Sequence, residues 1–241
     1  MRDYHHFLFY SSKIFSDTVE LDQDESRHAV KVLRLSQGDN FLVTNGNGIS
    51  ITCSLDNFNK GIVEGKIIEK TAINEIRPGI HFYIGIPDRD PFETIVTDLT
   101  AMGVAEITPL ITEQCQKNWW EQKWEKHLER LRNKMIAAMK QSLYPRLPVL
   151  NVPTDFNLVN NIKRRTFVAD IDGQPMHTYK NVFEEEINCL VGPPGGFSLK
   201  EVQFFKDHNF DFVKIAPTRL RTELAATVLC AQIIGDSKEN Q

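Results

Sequence analysis

The chain is short of the residues and patterns that announce the commonest chemistries. Four cysteines occur in 241 residues, at 53, 115, 189 and 230. No two form a Cys-x-x-Cys pair, and none has a histidine at metal-ligand spacing. A disulfide scaffold and a zinc site are therefore not expected, which leaves reduced, partly buried thiols. No apolar run approaches the ~18 residues that span a bilayer. The first residues, Met1-Arg2-Asp3-Tyr4-His5-His6, lack the apolar centre of a signal peptide, so a cytoplasmic protein away from any membrane is predicted. Positive charge is not in excess: 28 basic side chains stand against 32 acidic ones, a net charge of −4. That excludes a general cationic coat for nucleic acid but not a local basic stripe. Missing too are Gly-x-Gly-x-x-Gly, a Walker loop and Gly-x-Ser-x-Gly, the marks of dinucleotide, P-loop and serine-hydrolase sites.

What is present is an ordinary globular composition, 41% hydrophobic and 25% charged, with length for one compact unit plus a smaller module. The first 70 or so residues read as short strands. Asn45-Gly46-Asn47-Gly48 between two apolar runs predicts a hairpin. One helix, from about Asp24 to Leu35, interrupts them, and a small barrel is expected. Residues 73–79 read as a linker. After residue 80, strands alternate with helices. Strands are expected near 81–86, 106–110, 166–169, 188–191 and 212–215, and helices over 92–102, 119–143, 179–186, 199–207 and 222–234. That rhythm predicts a parallel α/β sheet.

Two strand-to-helix junctions carry the strongest signals. Leu190-Val191-Gly192-Pro193-Pro194-Gly195-Gly196-Phe197-Ser198 takes an apolar strand through a Gly/Pro loop into a helix marked by the capping box Ser198/Glu201. Glycines at the end of a parallel strand let backbone approach a ligand closely; a tight structural turn is the alternative. Ile215-Ala216-Pro217-Thr218-Arg219-Leu220-Arg221-Thr222-Glu223 repeats the arrangement. It puts Arg221 and Glu223 at a helix N-terminus, which can receive an anion or be a simple cap at Thr222. A third feature is basic. Arg27, Lys31 and Arg34 are spaced i, i+4, i+7, one face of a helix, with Val30 and Leu33 turned to the core. Residues 117–146 hold eight Lys/Arg against three Glu. Such patches attract phosphate, or are solvated faces laced by i, i+4 pairs. Trp119, Trp120 and Trp124 read as core anchors more readily than as base-stacking platforms.

Taken in order, five stretches resemble one family. They are Arg27-His28-Ala29-Val30-Lys31-Val32-Leu33-Arg34-Leu35 with Gly38-Asp39, Met102 to Leu110, Ala137 to Ser142, Val191 to Ser198, and Leu220-Arg221-Thr222-Glu223. The chain resembles the SPOUT superfamily of S-adenosylmethionine-dependent RNA methyltransferases, and within it the 16S ribosomal RNA uracil-N3 methyltransferases. The resemblance implies an α/β fold: an N-terminal PUA-like RNA-binding β-barrel over 1–72 and a C-terminal trefoil-knotted SPOUT domain over 73–241. It implies S-adenosylmethionine as cofactor, no metal, a homodimer, and methylation of one uridine of 16S rRNA in the small ribosomal subunit. By the same resemblance the cofactor is held at Ala169, Asp170, Val191, Gly192, Pro193, Gly195, Gly196, Ile215, Leu220, Arg221, Thr222 and Ala225. Arg221 and Glu223 are the catalytic candidates, Arg221 for orienting phosphate or stabilising charge on the uracil carbonyls and Glu223 for proton handling. Arg27, Lys31, Arg34 and Arg146 are the RNA-binding candidates. The chain departs from the family at Pro194, where Glu is usual, and at Asp98, Ala101, Tyr144 and Leu224. An RNA- and cofactor-binding relative with altered substrate or lost turnover is the alternative. A nucleotide-dependent oxidoreductase is disfavoured by the missing motifs.

Overall fold

The computed structural model describes residues 7–73, 79–121, 123–161, 164–179 and 186–239. It divides into two compact units, residues 1–74 with 135–147 and residues 75–134 with 148–241.

The first unit is a six-stranded sheet. Its elements are β1 (Leu8–Tyr10), β2 (Lys13–Ile14), β3 (Thr18–Glu20), α1 (Gln23–Arg27), β4 (Asn40–Thr44), β5 (Ile49–Asn59) and β6 (Ile62–Ala72). The order is β1-β4-β5-β6-β3-β2, with β1 parallel to β4 and the remaining pairs antiparallel. The expected hairpin is β4–β5, its turn drawn in by Gly46 N donating to Thr44 Oγ1 at 3.0 Å. A second, tighter hairpin joins β5 to β6. Lys60 and Gly61 both take positive φ, 51° and 82°, as a two-residue turn matched to strand twist demands. Alternate strand positions turn inward, and Phe9 meets Phe41 edge to face at 5.6 Å over a core that includes Val19, Leu21, Val43 and Val63.

The helix expected over 24–35 exists but changes character. Asp22 caps α1 by accepting from Glu25 N at 2.8 Å. After Arg27 the chain opens into a π-helical turn, His28–Val32, and stops where Arg34 enters the left-handed region at φ 57°.

The second unit is a parallel sheet flanked by helices. In chain order it holds β7 (Ile80–Gly85), α2 (Arg89–Ala101), β8 (Glu106–Ile111), α3 (Trp124–Ser142, counted here to residue 134), β9 (Val149–Leu150), β10 (Thr154–Asp155), β11 (Arg165–Pro175), β12 (Ile187–Val191), α4 (Leu199–Asp207), β13 (Asp211–Lys214) and α5 (Thr222–Glu239). The strand order is β10-β8-β7-β12-β11-β13, with β9 also paired to β8, and every pair is parallel. Strands β7 and β12 are buried at every position, as central strands covered on both faces must be.

Three differences from the sequence reading have physical causes. Helix α3 begins at Trp124 rather than 119, because Trp119 and Trp120 are anchored in turns. Trp119 Nε1 donates to Pro87 O at 2.9 Å, Trp120 Nε1 donates to Gln116 O, and Trp119 and Trp124 pack on Phe92. The three indoles are thus core anchors. Strand β11 runs on to Pro175 through a bulge, since Ala169 and Gln174 both pair with Val213. Helix α2 starts at Arg89, ahead of Pro91, a residue the first turn of a helix accommodates. The central residues of the expected linker, 74–78, and of the expected helix over 179–186, 180–185, lie outside the described residues.

Candidate functional site

In a parallel sheet every strand delivers its chain to the same edge, so loops at the carboxyl ends converge. Here three segments do so: the β11 bulge, the loop after β12 and the loop after β13. They line one cleft of about 170 Å³. Its lining includes Ala169, Asp170, Val191, Gly192, Pro193, Gly196, Ile215, Leu220, Thr222 and Ala225.

Local chemistry explains the arrangement. The bulge carries Asp170 and Ile171 out of the strand ladder into the lining, a common use of bulges beside sites. Asp172 N donates to Asp170 Oδ1 at 2.8 Å and closes the bulge. After β12, Gly85 lets the loop lie against β7: a methyl group at Gly85 would stand 2.4 Å from Pro193 Cδ. Gly196 takes φ +78°, which turns the chain toward α4. The expected capping box is present, and its carboxylate reaches further. Glu201, 1% exposed, accepts Ser198 N at 2.7 Å through Oε2 and Glu113 N at 2.8 Å through Oε1. It therefore ties the end of β8 to the glycine loop. Thr222 Oγ1 donates to Gly192 O at 3.0 Å, joining the two loops directly, and Gln232 Nε2 donates to Ile215 O at 3.0 Å from within α5.

Two positions named for the cofactor do not reach the lining. Gly195 packs against Gln114, whose Oε1 stands 2.2 Å from where a methyl group at Gly195 would sit. Arg221 is the residue before α5. Its carbonyl accepts Ala225 N at 2.8 Å, and its side chain is exposed. The cap of α5 is thus Arg221, and Thr222 is its first helical residue. Glu223 lies half-buried in the first turn. The sequence reading passed over Ile171, Phe197 and Val202, and it chose the loops 192–196 and 215–225 without naming Pro194, Ala216, Thr218 and Arg219 among their cofactor contacts; all seven are in the lining. Arg219 shares a loop with Arg221, so the loop's charge was legible but not which arginine lines the cleft. Val202 stands one helical turn after Ser198, a periodicity that pointed to it.

The basic stripe is rearranged. The π-helical turn and the left-handed Arg34 break the i, i+4, i+7 register, so Arg34 falls beyond the helix. Arg27, Lys31 and Arg34 are all exposed, and Arg27 pairs with Asp24 at 3.4 Å. Val30 and Leu33 pack on the core as expected. Arg146 is half-buried against the β4–β5 turn, where a methyl group at Gly48 would meet its Nη2 at 2.8 Å. Three cations of the 117–146 segment are held by carboxylates, of which Glu93 is buried and Glu25 half-buried. Arg130 and Lys134 bind Glu93 at 2.7 and 3.2 Å, and Lys140 binds Glu25. Burial alone would raise the Glu93 carboxyl; hydrogen bonds and charge from Arg130 and Lys134 outweigh it and hold it below the usual range.

All four cysteines are free and buried. Burial pushes the Cys53 and Cys230 thiols up to about 12 and Cys189 well above its ordinary value, which removes these three as nucleophiles. Among the described residues no group of three His, Cys, Asp or Glu side chains is placed to hold a metal, and no helix is long and apolar enough to cross a membrane.

Residues 74–234 match the family model of an RNA methyltransferase domain, and residues 21–68 that of an RNA methyltransferase PUA domain. The chain belongs to this RNA methyltransferase family. The resemblance drawn from the five motifs is borne out at that level, and the first unit's sheet holds the PUA-like domain. Ribosomal RNA small subunit methyltransferase E of Aquifex aeolicus is 26% identical over 236 residues, covering 95% of this chain and 99% of that protein. The protein of the same name from Mycobacterium tuberculosis is 24% identical over 219 residues, 86% of this chain and 82% of its own. A methyltransferase of Legionella pneumophila, solved with bound S-adenosylmethionine, superposes with a TM-score of 0.83 at 26% identity over 98% of both chains. Ribosomal RNA small subunit methyltransferase E of Neisseria gonorrhoeae, also solved with S-adenosylmethionine, shares the fold at a TM-score of 0.83 and 24% identity, covering 95% of this RNA methyltransferase and 97% of that chain.

Proposed function

We propose that this RNA methyltransferase binds S-adenosylmethionine in the strand-end cleft and methylates N3 of one uridine of 16S rRNA in the small ribosomal subunit. The observation that carries the reading is a backbone-rich cleft built from three strand-end loops in a chain of this family. The lining suits the cofactor. Val191, Phe197, Val202, Ile215 and Leu220 offer apolar walls to an adenine ring. Gly192 and Gly196 leave backbone groups accessible, and Asp170 is the one carboxylate in the lining. When bound, S-adenosylmethionine supplies an electrophilic methyl group.

The chain's own contribution is positioning and charge. Holding two reactants in line converts an encounter into a unimolecular step, and this supplies much of the acceleration. N3 of uracil must lose its proton, and the resulting charge spreads over the flanking carbonyl oxygens. Arg221, exposed at the start of α5, is suited to orienting an RNA phosphate; Glu223 beside it is the candidate for proton handling. The exposed Arg27, Lys31 and Arg34, with Arg146, are assigned to RNA. Trefoil threading of the second unit, a homodimer and a cytoplasmic location complete the reading, all supported by the family resemblance.

The test is methyl transfer from labelled S-adenosylmethionine to small ribosomal subunits that lack the modification, with calorimetry alongside. One 3-methyluridine in 16S rRNA and cofactor binding at micromolar affinity or tighter are expected. Binding without transfer would favour a relative that has lost turnover. No binding at saturating ligand would overturn the reading.

A further inference from the structure

The cleft lining is almost without full charge. Of its residues only Asp170 and Arg219 have acidic or basic side chains. Asp170 is engaged by Asp172 N. The Arg219 guanidinium makes no hydrogen bond or ion pair among the described residues, although it lies in the lining. Its Nη2 stands 3.6 Å from where a methyl group at Gly196 would sit, so it rests over a residue that has no side chain. On the neighbouring glycine, Gly195, lies Gln114. The glycine loop is thus flanked by a neutral amide on one residue and a cation on the next.

We propose that Arg219 is the side chain that meets the substrate uracil. It donates to a carbonyl oxygen flanking N3 and stabilises the negative charge that gathers there as the N3 proton passes to Glu223, the candidate named above for proton handling. The inference rests on the methyltransferase reading above and deepens it. Three observations support the assignment. The buried residues of the lining are Val191, Pro193, Thr222 and Ala225, and the Thr222 hydroxyl is spent on Gly192 O, whereas Arg219 is exposed. Among the described residues it is the only cation in the lining, and Arg221 is outside it. A guanidinium with no partner among the described residues is available as a donor that matches a planar carbonyl edge.

The experiment compares the full-length parent with Arg219→Ala and Arg219→Lys. It measures S-adenosylmethionine affinity by calorimetry, affinity for unmethylated small subunits at fixed salt, and single-turnover methyl transfer across pH. For Arg219→Ala, transfer should fall by about 10²–10³-fold, the loss typical of one preorganised donor at a developing oxyanion. The rise of rate with pH should move to higher pH, because the uracil anion is less stabilised. Cofactor affinity should stay within twofold, which also reports an intact cleft. Arg219→Lys should recover part of the rate. Cofactor affinity falling in step with the rate would overturn the assignment and give Arg219 to the cofactor's carboxylate. Transfer within threefold of an active parent, with an unmoved pH profile, would overturn it alone. A parent that neither binds nor transfers would overturn the methyltransferase reading and the assignment with it.

Discussion

The two edges of the parallel sheet in the second unit are built on opposite plans. At the amino ends of the strands, polar side chains are paired with one another, and His81, Thr108, Thr166 and Asn188 among them are buried. His81, 6% exposed, shares a 2.8 Å hydrogen bond with Thr108 and lies 3.7 Å from the Glu106 carboxylate. Asn151 Nδ2 donates to Glu106 at 3.2 Å and to Thr108 at 2.8 Å. Asn188 donates to Thr166, Arg165 pairs with Asp211, and Arg164 with Glu186; the Asn188 carbonyl oxygen is the exception that finds no partner. At the carboxyl ends the side-chain bonds join loops to one another, the lining is mostly backbone and apolar side chains, and the Arg219 guanidinium has no partner among the described residues. The two edges differ in what they leave for a ligand. Polar groups satisfied within the chain hold an edge together, while groups left over at the other edge are available to a ligand.

The contrast breaks most severely at the carboxyl edge's own scaffold. Glu201→Ala removes the acceptor of two backbone N–H groups and uncouples β8 from the glycine loop. Two hydrogen bonds to a buried carboxylate together are worth about 3–6 kcal/mol. Denaturant unfolding should show a loss of that size, and calorimetry should show cofactor binding abolished or reduced more than tenfold. Cofactor affinity equal to the parent's would mean that the loop keeps its shape without Glu201.

The next effect belongs to the amino edge and is read by pH. Burial lowers the His81 pKa from 6.5 to about 4, opposed by Glu106 and assisted by Arg164. The folded state therefore favours neutral His81, while the unfolded chain takes up the proton earlier. Stability from this residue is complete above pH 6.5 and is lost as pH falls toward 4, because the unfolded state then binds more protons. At 1.36 kcal/mol per pKa unit, the loss is roughly 3 kcal/mol. His81→Gln should flatten the stability profile between those limits and leave cofactor affinity unchanged near neutrality. A profile as steep as the parent's would assign the acid loss to other groups.

Much of this was legible in the residues, and the remainder was hidden for identifiable reasons. Ser198 and Glu201 announced a helix start, and Asn45 to Gly48 a hairpin, because each rests on contacts within four residues. The alternation of apolar runs announced a parallel sheet. The π-helical turn after Arg27 was not visible, since the sequence there keeps an α-like spacing. Nor was the length of β11, whose bulge depends on pairing with Val213. At the site, the glycine loops stood out because backbone freedom is written in composition. Arg219 and Arg221 were indistinguishable by type, being two residues apart in a loop without periodicity. Only the fold shows one in the cleft lining and the other capping α5.

The smallest effect is the sharpest test of the two plans, because it changes the same atom type at both edges. Thr222 Oγ1 donates to Gly192 O at 3.0 Å at the carboxyl edge. At the amino edge, Thr166 Oγ1 donates to Arg164 O at 3.0 Å and accepts from Asn188 at 3.2 Å. Both residues are 3% exposed. Replacing either with valine keeps the volume and deletes the hydroxyl, so each variant should lose about 1 kcal/mol of stability. Their ligand behaviour should diverge. In Thr222→Val the glycine loop and the α5 loop lose their direct link, and cofactor affinity should fall about 3–10-fold, with Thr222→Ser restoring it. In Thr166→Val the lost bonds lie at the far edge, and affinity should match the parent's. Equal loss of affinity in both variants would show that the cleft answers to the stability of the whole sheet. Loss confined to Thr222→Val would show that the carboxyl edge is held for ligand by its own loop-to-loop bond.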